Sequence, residues 1–286
     1  MRFAFKTSPQ YTSWNDLREF WSAADDMEIF ESGWLFDHFY PIPQPGRDFQ
    51  PDGPCLEGWS VAAAMAALTT RLRLGVLVTG VHYRNLGVLA KMIATIDNIS
   101  NGRLEIGLGA GWNELESAAF GIQLGDPAER SDRLEESCEA LNLLLTQETT
   151  SYQGRYQHLV EARCNPASVQ RPRPPFVIGG NGERRTLRTA ARFADHWNFL
   201  GLPPDGFARK RDILYEHCAD VGRDPSEITL SSHAWLKDGS AAALDDVVRT
   251  IEALAAERCD LAIVYVLPPI DVRILEPLTA RLATLV

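Results

Sequence analysis

The chain has 286 residues, of which 45% are hydrophobic and 23% charged, and its formal net charge is −10. That balance supports a large core and excludes a disordered, collagenous or coiled-coil chain. The acidic excess argues against nucleic acid or anionic lipid as a partner.

In chain order, short apolar runs alternate with longer helical patterns. Arg2–Lys6 reads as a strand and a helix opens near Ser13. Gly33–Asp37 is a second strand, followed by a proline-rich loop from His38 to Pro54. A small-residue helix, Leu56–Thr70, leads into the strand Leu72–Thr79. A helix over Asn85–Ser100 precedes the strand Arg103–Leu108. The helix Ala128–Thr146 carries a capping box, with Asp126 at the N-cap, Pro127 after it and Glu129 at the third position. Phe176–Gly179, Asp195–Leu200, Ile228–Leu236 and Leu261–Leu267 are further strands, with helices between and after them. Val76–Val78 and Ala262–Val266 are continuously apolar, as strands covered on both faces are in a parallel sheet. About eight βα units in this length point to a (β/α)₈ TIM barrel forming one domain over 1–286. The stretch of about 147–175 breaks the rhythm; Tyr152–Tyr156 reads as a hairpin within an insertion before the strand at 176–179.

The five cysteines are scattered and odd in number, with no CxxC pair, so neither a disulfide framework nor a structural zinc site is expected. Charge interrupts the N-terminal segment before a leader's apolar stretch can form, and no apolar run approaches the ~20 residues of a membrane helix. A soluble cytoplasmic enzyme without a metal is expected.

In such barrels the chemistry lies at the C-terminal strand ends. Gly179-Gly180-Asn181-Gly182 follows a strand and leads into a helix over Glu183–Phe193. It is either a phosphate loop, with Arg184, Arg185 and Arg188 adding positive charge, or a glycine turn that merely starts a helix. Gly107-Leu-Gly-Ala-Gly-Trp112 imitates a dinucleotide fingerprint, but Trp112 stands where its last glycine belongs, and the residues after it read as a loop. A Rossmann site is therefore not expected. His38 is either a hydrogen-bonded structural residue or a polar group aimed into the cavity. Most tryptophans read as core; Trp112, at a rim between Gly111 and Asn113, is expected to wall an aromatic pocket. No HExxH, GxSxG or Walker pattern occurs, which removes metal-assisted hydrolysis, serine nucleophiles and P-loop chemistry.

Taken together and in order, Phe36-Asp37-His38, Leu74-Gly75 through Arg84-Asn85, Asn101-Gly102-Arg103, Gly109-x-Gly-Trp-Asn-Glu114 with Glu116 and Phe120-Gly121, Ile178 through Arg185, and Ala194-Asp195-x-Trp197-Asn198 resemble the luciferase-like monooxygenase superfamily. The resemblance covers nearly the whole chain and is greatest to the branch using the deazaflavin coenzyme F420, with FMN as the alternative cofactor. It implies an oxidoreductase that is a homodimer, with a non-proline cis peptide at Leu77-Val78 backing the flavin ring. It further implies that His38 hydrogen-bonds near the reactive end of the ring and that Gly179–Gly182 receives the phosphate. Asp37, Thr79, Ala110, Gly111 and Asn113 complete the implied cofactor contacts, and His38 is the implied catalytic residue. Tyr40, Ile42, Tyr83, Trp112 and Trp197 are expected to line a substrate pocket. The related sugar-phosphate dehydrogenases have a Trp and a Glu where this chain has Ile42 and Trp112, which argues against a sugar phosphate and leaves no evident carboxylate beside His38. A non-redox barrel enzyme taking a phosphorylated ligand is the reading from another class.

Overall fold

The computed structural model of the chain describes residues 1–44, 50–201 and 204–285; the part of the 38–54 loop at 45–49 lies outside the described residues. The elements are, in order, β1 (Arg2–Thr7), α1 (Trp14–Asp25), β2 (Phe30–Leu35), α2 (Gly58–Leu68), β3 (Arg73–Gly80), α3 (Leu86–Ile99) and β4 (Leu104–Gly109). Then come α4 (Glu114–Ala119), α5 (Pro127–Thr146), the pair β5 (Thr150–Gln153) and β6 (His158–Ala162), and β7 (Phe176–Gly179). The chain ends with α6 (Thr186–Phe193), β8 (His196–Phe199), α7 (Pro204–Val221), β9 (Thr229–Leu236), α8 (Ala241–Ala256), β10 (Leu261–Val266) and α9 (Leu275–Leu282).

Eight strands close in the order β1-β10-β9-β8-β7-β4-β3-β2, and every adjacent pair in that ring is parallel. This is a (β/α)₈ barrel. β5 and β6 form an antiparallel hairpin outside it, between α5 and β7. All residues of β10 are buried, as its unbroken apolar pattern requires of a strand with side chains on a packed interior and under helices; β4 is buried too, with Glu105 paired to Arg73 and His196. Ala4, Trp34, Leu77, Val177, Leu261 and Ile263 fill the barrel's inside, while a larger apolar layer lies between strands and helices.

The helix starts follow their caps. Ser13 accepts from Asp16 N while its own N–H donates to the Asp16 carboxylate, and Asp126 and Glu129 form the same reciprocal box ahead of α5. Three segments differ from their sequence reading. The second strand runs over 30–35 rather than 33–37, because Phe30 pairs with Phe3 and Ser32 with Ala4 and Arg73, so Phe36–His38 have already left the sheet. The stretch after Trp112 is not all loop: Asn113 caps the short helix α4 by accepting from Glu116 N. The helix after the glycine loop starts at Thr186, not Glu183, with no side-chain cap.

At the N-terminal end of the barrel, two arginines tie the βα turns together. Arg103 donates to the carbonyls of Ala66, Thr69, Leu72 and Ser100 and to the Thr69 hydroxyl, at 2.7–2.8 Å. Arg71 donates to the carbonyls of Ala24, Asp25, Met27 and Phe30. Carboxylates do the converse: Asp25 accepts from the backbone of Thr70, Arg71 and Leu72, and buried Asp97 from that of Val169 and Gln170.

Candidate active site

At the opposite end a cavity of about 150 Å³ opens between the strand ends. Its base is built by β3. The Leu77-Val78 peptide is cis, as the family resemblance implies, and the β3–β4 register shifts between Val76 and Thr79. The bulge turns the Val78 side chain toward three glycines: a Cβ at Gly107, Gly109 or Gly179 would come within 3.0, 2.6 and 2.8 Å of it. Those glycines therefore make room for the bulge.

One wall is a polar cluster built from three separate segments. His38 leaves β2, Tyr83 follows β3, and Glu116 projects from α4. His38 Nδ1 lies 2.6 Å from Glu116 Oε1, Phe39 N donates to Oε2 at 2.8 Å, and the Tyr83 hydroxyl donates to Oε1. Glu116 is fully buried. Burial raises its carboxyl pKa, but the bond to His38, the imidazole's charge, Tyr83 and the Phe39 amide outweigh it and hold the carboxyl below its ordinary value. The same carboxylate and burial push the Tyr83 phenol well up, so it stays protonated. Facing an ionised carboxylate, Nδ1 carries a proton, and Nε2 is the nitrogen left for chemistry, with no protein partner among the described residues. Glu116 is thus the carboxylate that Ile42 and Trp112 do not supply. It lies within the motif quoted for the resemblance, but no spacing rule joins residues 78 positions apart; only α4 brings them together.

The aromatic walls divide. Trp112 is 53% exposed, with its ring 5.3 Å from the His38 ring and edge-on, and it lines the cavity with Ile42, Tyr83, Gly111 and Leu200. Tyr40 does not reach it, because its ring packs on Phe120 outside the mouth. Trp197 does not line this cavity either: it is fully buried, stacks on Phe207 and donates Nε1 to the Gly180 carbonyl, so its ring supports the glycine loop.

Asp37 and Thr79 are likewise occupied within the protein. Asp37 is fully buried and receives both Arg84 Nη atoms at 2.5 and 2.9 Å together with the Thr79 hydroxyl, which itself accepts from Trp59 Nε1 at 2.8 Å. Arg84 also reaches Glu57. This network fixes the start of the 38–54 loop; neither side chain faces the cavity. Asn113 spends its carbonyl on the α4 cap, and Ala110 packs partly on the core. Gly111, at φ +81°, turns the chain so closely past His82 that a Cβ would lie 2.1 Å from that ring.

The loop 179–182 rises beside this mouth. Gly180 has φ +124°, and Asn181 clamps the backbone of Leu200 through both its amide atoms. The backbone N–H groups of Asn181, Gly182 and Glu183 have no acceptor among the described residues. The arginines behave otherwise than their spacing suggests. Arg185 pairs with Asp132, Arg188 lies 3.9 Å from Glu135, and only Arg184 has no ion-pair partner among the described residues.

Sequence reading also missed Lys6, which lines the cavity from β1 at 5% exposure. Its ammonium donates to the Leu77 carbonyl at 2.9 Å and sits 4.7 Å from the centre of the Tyr265 ring. Burial pushes its pKa down to about 7. Among the described residues no group of histidines, cysteines and carboxylates could hold a metal, and no helix is long and apolar enough to cross a membrane.

The mouth of this parallel barrel thus joins a strand bulge, an imidazole–carboxylate pair and a glycine loop at the C-terminal strand ends, where barrels of this class place their chemistry. The match to the family model described as luciferase-like monooxygenase spans residues 2–267, and the chain belongs to that family. An uncharacterised protein of Mycobacterium tuberculosis is 35% identical over 170 residues, 59% of this chain and 58% of that one, so the match spans less than two thirds of that relative. An F420-dependent glucose-6-phosphate dehydrogenase of Amycolatopsis mediterranei is 28% identical over 256 residues, covering 88% of this chain and 68% of the relative. Among solved structures, an F420-dependent secondary alcohol dehydrogenase superposes with a TM-score of 0.83 at 15% identity over 98% of both chains, which shows the shared fold.

Proposed function

We propose that the protein is an F420-dependent oxidoreductase that passes a hydride between the deazaflavin and a small organic substrate. The observation that carries the reading is His38, held at Nδ1 by buried Glu116 and presenting Nε2 to a cavity based on the Leu77-Val78 bulge. The residues fit the cofactor in two respects. Gly179, Gly180 and Gly182, with the amides of Asn181 and Gly182 that have no acceptor among the described residues, suit its phosphate; the backbone bulge at the base of the cavity suits its ring. Coenzyme F420, when bound, supplies or accepts the hydride. The protein's part is position and proton. Trp112, Ile42 and Leu200 exclude water from the mouth, and His38 Nε2 donates or removes the proton that must accompany hydride arrival at, or departure from, a substrate carbon bearing oxygen. Glu116 orients the ring and stabilises imidazolium when it forms.

Relatives named as F420-dependent support the cofactor; the departure at Ile42 and Trp112 argues against a sugar phosphate as substrate. The acidic, apolar-cored chain suits a cytoplasmic enzyme, taken to be a single barrel domain and a homodimer as in the family. Titration of the purified protein with F420 and with FMN, followed by tryptophan fluorescence, tests the assignment. Quenching by F420 and not by FMN is expected. Quenching by FMN alone replaces it with a flavin monooxygenase, and quenching by neither favours a non-redox barrel enzyme.

A further inference from the structure

Among the described residues lining the cavity, Lys6 is a strong charge that the chemistry above does not use. Its Nζ meets only the Leu77 carbonyl and the face of Tyr265, and no carboxylate lies within ion-pair distance of it among the described residues. The elements around it bring no compensating charge. β10 presents Tyr265, whose phenol is pushed up to about 12 by burial and is bonded to Ser8 and Gln44. β9 presents His233, buried, held neutral by burial and by the lysine itself, and without a partner at Nε2. β2 and β3 bring Trp34 and the Leu77-Val78 peptide, and the His38–Glu116 pair on the other wall is already matched to itself. A buried ammonium has three donors; here one meets the Leu77 carbonyl, the Tyr265 ring face offers only a weak acceptor, and no opposite charge is supplied among the described residues. A cation kept in apolar surroundings without a counterion costs stability, and an anionic guest removes that cost.

We propose that Lys6 is an oxyanion-binding subsite at the depth of this cavity, so that an anionic oxygen of the bound molecule completes the ion pair and its binding draws a proton onto Nζ. The proposal deepens, and rests on, the reading of the cavity as the reaction site. The oxygen belongs either to the deazaflavin or to a substrate carboxylate or enolate, and the shared chemistry is an acceptor oxygen carrying negative charge. Because the free amine titrates near 7, such a ligand takes up about half a proton at pH 7 and close to one at pH 8.

The experiment uses the full chain and its Lys6→Met variant, with binding measured from pH 6 to pH 9 in two arms. One arm is F420 alone; the other compares benzoate with benzamide, two aromatic probes of equal shape that differ in charge. In at least one arm, wild-type affinity is expected to fall about tenfold per pH unit above pH 7. Lys6→Met is expected to weaken the anionic ligand tenfold or more and to abolish its pH dependence while leaving benzamide unchanged. The effect in the F420 arm assigns the oxygen to the cofactor; the effect only with benzoate assigns it to the substrate. Calorimetry of the wild type in two buffers of different ionisation enthalpy reads the proton uptake directly and decides the matter if the variant does not fold. Tight F420 binding with no proton uptake in either arm overturns the role of Lys6 and leaves the cofactor assignment standing. Failure of wild type to bind F420 removes that assignment, and the benzoate arm then decides Lys6 on its own.

Discussion

The two ends of the barrel solve the same problem in opposite ways. At the N-terminal end, Arg71, Arg103, Asp25 and Asp97 are each surrounded by backbone groups of opposite polarity. There the charges serve the chain's own turns, as expected of the end of the fold that carries stability. At the mouth, Lys6 has no carboxylate within ion-pair distance among the described residues. Neutral buried atoms without a partner occur elsewhere too, at Tyr156 and Ser168, so the difference between the two ends lies in charge: the N-terminal end matches its charges with backbone groups, and the mouth leaves one without an opposite charge.

The contrast can be broken by substitution. The largest expected effect is at the mouth: His38→Ala should lower turnover with F420 by roughly 10²–10⁴, as loss of a proton-transferring group does. Unaltered kcat would reduce His38 to a packing residue. Next comes the other end. Arg103→Ala strands four carbonyls and should cost about 2–3 kcal/mol in urea unfolding, with unchanged kcat for the molecules that remain folded.

Lys6→Met should act with the opposite sign. The lysine's pKa falls from 10.5 to about 7 on folding, so the unfolded chain binds more protons between those values and burial of the charge opposes folding. The penalty is full below pH 7, on the order of 5 kcal/mol, and vanishes as pH rises past the unfolded value. After subtraction of about 1–2 kcal/mol for the lost bond to Leu77, the variant should be more stable than wild type by about 3–4 kcal/mol at pH 6. That gain should shrink and reverse by pH 10; equal unfolding midpoints at pH 6 would contradict the buried, unpaired charge. The smallest effect belongs to Trp112→Ala. Its half-exposed ring should change stability by no more than about 0.5 kcal/mol, while ligand affinity falls because the rim is opened.

Legibility in the sequence followed the range of the interactions. The helix at 127–146 was readable because its box, Asp126 with Glu129, spans three residues. Strands β7 and β10 matched their apolar runs closely, since burial on both faces leaves a pattern that needs no partner to be seen. The start of α6 was not readable, because the glycine loop makes its own turn before Thr186 and leaves no capping side chain as a signal. Trp197 was misplaced because an aromatic residue near a strand end can turn inward or outward, and strand alternation with Phe207 beneath it decided the direction. Asp37 and Thr79 looked available for a ligand until Arg84, 47 positions from Asp37, proved to fill their hydrogen-bonding capacity.

By itself the sequence determined a parallel eight-stranded barrel, the glycine loop after its strand at 176–179 and the family to which the motifs belong. Each of these rests on local periodicity or on short spacings, which the chain carries before it folds. Only the tertiary structure decided that Glu116 holds His38, that Lys6 stands in the cavity with no carboxylate in ion-pair range among the described residues, and that Arg185 and Arg188 turn away toward α5. Those are facts of electrostatics between distant segments. Whether a charge is matched depends on what barrel closure brings within a few ångströms of it, and no linear pattern records that.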